Sequence, residues 1–266
     1  MSLTGKTKAS TYKDILQMNN SNSGVDTTTR NVVDGEGTAS AISISDDVLT
    51  VQPVNDDSIA TFFVRSQSGT NLFAVDSNNS VTKANGNIVN TQYAYFGANN
   101  IDTADFTDDT HMAVPFNSQG YGDLGEIPAF GTGGDPATIF ATDEANATRA
   151  SDLVPMMWRV PDNITIDEIK HFEGADTATG DTTRMHLVSY TFNSGIPAPE
   201  RALASGAVVA NTLADNTNAG SEQPYLKDWT IVTEDIDAGK VLLCFFRSDS
   251  INSDYSVSVT IKYHLR

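Results

Sequence analysis

A single cysteine, Cys244, stands in the 266-residue chain, so no internal disulfide can staple the fold and its stability has to come from packing and hydrogen bonds. Cationic side chains are scarce too. Lys and Arg number 16 against 34 Asp and Glu, for a formal net charge of −18. A surface of that sign repels a phosphate backbone, which excludes nucleic acid as a partner of the whole chain but leaves a basic protein surface open. No window approaches the ~20 apolar residues that span a bilayer as a helix. No charged-then-apolar leader opens the sequence, so the expected route is folding in a reducing cytoplasm, without Sec export and without a membrane partner. Hydrophobic residues make up only 39%, below the usual share for a globular domain.

Catalytic signatures are also missing. His111, His171, His186 and His264 are far apart and form no HxH or HExxH spacing, so each reads as a packing or surface residue and not as a metal ligand. There is no GxSxG elbow, phosphate loop or dinucleotide fingerprint, and FGTGGDP reads as loop. The Asp-rich turns at Asp176 and Asp215 lack the alternating ligands and terminal Glu of a calcium loop. Neighbouring carboxylates such as Asp108–Asp109 and Glu234–Asp235 face opposite ways on a strand or face water in a loop, so they make no glycosidase pair. The expectation is a protein that is not an enzyme and needs no cofactor or metal.

Asn, Ser, Thr, Asp and Gly are plentiful instead, a mixture suited to turns and β-structure. From Ala41 to about Ala98 the runs AISIS, VLTV, ATFFVR, LFAV and VTKA alternate with polar turns, the rhythm of a β-meander. Phe62, Phe63, Leu72, Phe73 and Val75 supply most of its large apolar side chains. Adjacent strand residues point to opposite faces, so both faces carry apolar groups needing cover, and so thin a ladder is marginal alone. Identical copies wrapped round a shared axis would supply that cover; packing on the C-terminal domain of the same chain is the alternative.

The ends differ from this middle. Residues 1–40 are mostly polar, with one apolar patch of Tyr12, Ile15, Leu16 and Met18. Its spacing reads as a short helix docking on a partner, too short to persist alone. Residues 99–151 read as connector and long loops, with nine acidic residues and only Arg149 as a base between Ile101 and Ala150. A strand is expected at His111–Phe116 and a short helix within TDEANATRASDLV, capped by Thr142 or Asp143. From residue 152 to Arg266, seven strong strand runs end in YSVSVTIKYHLR, which alternates throughout. They predict an antiparallel β-sandwich, jelly-roll-like, with Cys244 buried in KVLLCFF. Trp229 and Tyr225 are the candidate contacts for a sugar ring.

The stretch Asp14–Val51, with NNSNSGVD, TTTR and DGEGTAS, resembles a segment near the start of fibre and appendage proteins of tailed bacteriophages. LFAVDSNNSVTKANG is similar to the hairpins of trimeric phage stalks. The resemblance implies an all-β virion surface protein, made in the host cytoplasm. It would comprise an extended anchor (1–40) bound to capsid or tail proteins, a homotrimeric β-stalk (41–98) and a β-knob (152–266). Capsid decoration or a head fibre is the leading expectation, a tail fibre the next. A knob that recognises host surface glycan is the second reading.

Overall fold

Short β-forming runs broken by Asn, Asp and Gly turns give a chain that is nearly all strand. The computed structural model describes residues 14–21, 23–101, 109–117, 128–143, 149–175, 179–213, 216–217, 223–249 and 255–266. These fall into two units, Met1–Val89 and Asn90–Arg266.

The first unit holds two four-stranded antiparallel sheets. One contains β1 (Gln17–Met18), β2 (Arg30–Val33), β3 (Ala39–Ile44) and β4 (Leu49–Val51). The other contains β5 (Phe62–Arg65), β6 (Asn71–Asp76), β7 (Val81–Ala84) and β8 (Asn87–Ile88). The β7–β8 hairpin turns on Asn85 and Gly86, whose φ values of 48° and 82° are those of a two-residue mirror-image turn; such a turn matches strand twist and favours Asn-Gly. The opening stretch departs from expectation. Residues 14–18 form no helix, since the patch ends in β1 paired to β2, and Tyr12 lies outside the described residues. The expected boundary at residue 40 falls inside β3.

The second unit begins earlier than the sequence suggests. Residues 91–98, assigned to the stalk, belong to β9 (Thr91–Ile101), which pairs along its length with β21 (Tyr255–Leu265). One sheet runs β17 (Gln223–Asp228), β13 (Ile164–Ala175), β21, β9, with β19 (Asp235–Ile236) also on β13. The facing sheet runs β10 (Met112–Val114), β20 (Val241–Ser248), β14 (Thr182–Phe192), β15 (Arg201–Asn211), β11 (Phe140–Ala141). Three two-residue strands pair onto it: β12 (Trp158–Arg159), β16 (Asn216–Thr217) and β18 (Thr230–Ile231). Within the expected helical stretch the described residues hold α1 at Ala150–Leu153, followed by a 3-10 turn at Val154–Met156. Its N-cap is Arg149; a helix capped by Thr142 or Asp143 would run through 144–148, which lie outside the described residues.

Two hydrophobic layers follow from this arrangement. Phe96, Ile164, Ile166, Val257, Val259 and Ile261 from one sheet meet Met185, Leu187, Leu242, Cys244 and Phe246 from the other. The alternate residues of β20, Val241, Leu243 and Phe245, point the other way into a second core. There Phe130 and Phe140 of residues 128–142, with Leu153 and Met156, form a cover over the sheet's outer face. The run VLLCFF is therefore buried on both sides, which is why it carries no polar alternation.

Candidate functional site

Strand register sets the faces of the small β5–β8 sheet. Phe62 lies opposite Val75, and Val64 opposite Phe73, so these four side chains share one face. Phe62 and Phe73 touch edge to face, centroids 6.3 Å apart, yet Phe62 and Val64 remain 42% and 45% exposed. The opposite face is better protected. Ala74 is buried, the Arg65 guanidinium lies 4.1 Å above the Phe63 ring, and Leu72 stays exposed. Both faces carry apolar groups, as the alternation implies, and on this one Arg65 of the sheet itself roofs the Phe63 ring.

On that roofed side Asp76 is fully buried. Its carboxylate accepts hydrogen bonds from the Asn79 backbone N–H (2.9 Å), Asn79 Nδ2 (2.8 Å) and Lys83 Nζ (2.9 Å). The Asn79 amide first, then the Lys83 ammonium, hold its pKa down to about 2. A cleft of about 260 Å³ beside it is lined by Ile59, Ala60, Phe63 and Ala74, and the carboxylate at its base is already engaged.

The described residues of the first unit form no core of their own. Among the described residues its only buried hydrophobic side chains are Val33 and Ala74, while Ile15, Leu16, Ile42, Leu49, Ile59, Phe62, Val64 and Leu72 are exposed. Met18 is half-buried. Of the expected anchor residues, then, Ile15 and Leu16 are free for contact and Met18 is tied into β1.

The second unit places the two candidate sugar contacts differently from the sequence reading. Trp229 is buried, 8% exposed; its backbone N–H donates to the Ile169 carbonyl at 3.1 Å and its indole N–H to His171 Nδ1 at 2.7 Å. It presents no open ring. Tyr225 is half-buried on β17; its hydroxyl donates to Gln223 Oε1 at 2.6 Å and Lys227 Nζ lies 5.3 Å over its ring.

Around Trp229 the sandwich interior is polar. Because the indole donates to His171 Nδ1, the ring proton sits on Nε2, which faces Glu173 Oε2 at 3.3 Å. The Thr183 hydroxyl donates to the same carboxylate, 2.9 and 2.8 Å from its two oxygens. His171, Glu173 and Thr183 are all buried, so the network is a satisfied interior one. Sequence reasoning missed it because His171, Glu173, Thr183 and Trp229 come from three separate stretches. A second buried polar group surrounds His111 and His186, whose rings lie 4.9 Å apart. Among the described residues no set of three His, Cys, Asp or Glu could hold a metal ion. The turns at Asp176 and Asp215 lie outside those residues.

No family model matches the chain, and no curated protein matches it. Among solved structures it is similar to one described as the structure of Eiger TNF from S. frugiperda. That match has 11% identity and a TM-score of 0.26, covering 66% of this chain and 93% of that one. The score is too low to assign a common fold.

Proposed function

We propose that this chain is a non-enzymatic structural protein of a tailed-bacteriophage virion, displayed on the particle as a homotrimer. The first unit self-associates through its β5–β7 sheet, the exposed Ile15 and Leu16 contact a capsid or tail protein, and the second unit is a jelly-roll-like knob. The observation carrying this reading is the shortage of interior in the first unit: among its described residues Val33 and Ala74 are the buried hydrophobics, while Phe62 and Val64 stand open on one face. A few apolar contacts of this kind cannot offset the conformational entropy of ordering such a unit, whereas sister copies supply the missing burial. Light scattering of the full chain tests it: three chain masses are expected, and a monomer at micromolar concentration removes the reading.

A knob that binds host glycan is the second reading, and a specific pair of residues favours it. Tyr93 and Tyr95 stand on one outward face of β9, 54% and 45% exposed, opposite Lys262 and Thr260 of β21. Alternate strand positions put two rings side by side with polar neighbours, an arrangement suited to stacking on sugars. Glycan-array binding lost in a Tyr93→Ala/Tyr95→Ala variant supports it, and binding that persists in that variant discards it.

A further inference from the structure

Residues 128–138 form a strap across the outer face of the β14–β20 sheet, and His111 holds one end of it. The Phe130 N–H donates to the His111 carbonyl at 2.7 Å, and the His111 N–H to the Gly131 carbonyl at 2.9 Å. The His111 ring donates from Nδ1 to the same Gly131 carbonyl at 3.1 Å, which leaves Nε2 as a lone-pair nitrogen with no hydrogen-bond partner. Phe130 then packs against Phe140 and Phe245, centroids 4.8 and 4.6 Å away.

Against the His111 ring stands His186 of β14, edge to face at 4.9 Å. Both residues are 0% exposed, and neither ring nitrogen of His186 has a hydrogen-bond partner. The surroundings are cationic. Arg184 lies on the same strand, with a buried and unpartnered Nε. Arg247 of β20 reaches in from the neighbouring strand and is held by Asp109, Nη2 to Oδ1 at 2.5 Å. Among the described residues the acid paired with the ring is Asp135 of the strap, 3.5 Å from His186 Nε2, but its side chain is 64% exposed, so water screens most of its pull. Burial first, then the neighbouring His111 and the two arginines, keeps His186 neutral; burial does the same for His111.

We propose that His111 and His186 form an acid-sensitive latch that fastens residues 128–138 over the sheet at neutral pH and releases them on acidification. A proton on either ring puts a charge into a dry site beside two arginines and the other imidazole. Opening the strap is the route by which those rings reach water; backbone bonds at Pro128, Phe130, Gly131 and Thr138 hold it to the sheet, against a continuous ladder between β13 and β21, so the strap yields first. The nearby acids, Asp109 and Asp135, are partly exposed and supply too little compensation to hold it shut.

Hydrogen exchange on the full chain, corrected for the intrinsic rate at each pH, tests this. Between pH 7.5 and 4.5 the protection of the Phe130 and Ala137 amides should fall at least tenfold more than that of β21 amides such as Val259. A His111→Gln/His186→Leu variant should remove the difference. Should that variant not fold, the imidazole resonances of the unaltered chain serve: each ring must titrate together with strap opening. Equal loss of protection across strap and ladder, or rings that titrate while the strap stays protected, overturns the proposal.

Discussion

Trp229 and His171 meet edge to face inside the sandwich, ring centroids 5.8 Å apart, and the indole N–H donates to the imidazole at 2.7 Å. That bond fixes which histidine nitrogen carries the proton, and so aims Nε2 at Glu173.

Replacing Trp229 with Phe keeps most of the ring but leaves the lone pair of His171 Nδ1 buried without its donor. A loss of about 1–3 kcal/mol is expected, the usual cost of an unsatisfied buried polar group. Trp229→Ala should cost more, about 3–5 kcal/mol, through the cavity it opens. Urea unfolding of both variants measures the two losses, and a loss in Trp229→Phe as large as that in Trp229→Ala would contradict the account.

Gly206 is required by closeness. A Cβ built there comes 2.5 Å from Tyr190 Cε1 and 2.8 Å from the Thr138 backbone, where the Gly206 N–H donates to the Thr138 carbonyl. Gly206→Ala should destabilise by about 1–3 kcal/mol, as overpacking does, and should increase proteolytic cleavage between residues 128 and 142.

Phe62→Ser/Val64→Ser alters only side chains that are already substantially exposed. The expected result is loss of the trimer in light scattering with the thermal transition of the second unit unchanged. A variant that keeps three chain masses would show that assembly uses another surface.

The Cys244 thiol is completely buried, and burial pushes its pKa far above the ordinary thiol range. It should resist a chromogenic thiol reagent in the native protein and react at once in denaturant. Stoichiometric labelling within minutes under native conditions would show that the VLLCFF strand opens readily.

Acid should weaken the fold in a defined window. The pKa of His186 is lowered from 6.5 to about 3, so the unfolded chain binds the proton more tightly and stability falls as pH drops from about 6.5 towards 3. Asp76 works at lower pH: its contribution is intact above its ordinary value of 3.8 and disappears as pH falls through about 2. A urea midpoint lower at pH 4.5 than at pH 7 is therefore expected, and His186→Leu should shrink that difference.

Much of this architecture was legible in the chain because period-two alternation reports one-sided burial. Tyr255, Val257, Val259 and Ile261 are buried and Ser256 and Ser258 exposed, as the pattern requires, but Tyr263 is only half-buried and His264 is buried instead. The register shift on β13 between Ile166 and Glu168 accompanies that change, and Asp167 there meets His264 Nδ1 at 3.0 Å. A bulge on a partner strand leaves no mark in β21's own residues. QYAYFGA alternates equally well, with Ala94, Phe96 and Ala98 buried. Its rhythm is that of the meander before it, and nothing local says which sheet a strand will join. Trp229 looked exposed beside Lys227 and Asp228, since its partner His171 is 58 residues away. The shortage of apolar residues in the first unit, by contrast, is a matter of composition, which a sequence displays directly.

The placing of β21 between β13 and β9 has a bearing on biogenesis. A ribosome delivers every other strand of that sheet before it delivers the one that joins them, so β9 waits with an unsatisfied edge through the synthesis of well over a hundred residues and β13 through about eighty. That sheet of the second unit therefore closes late, and a stop codon just ahead of Tyr255 would leave both edges open to aggregation.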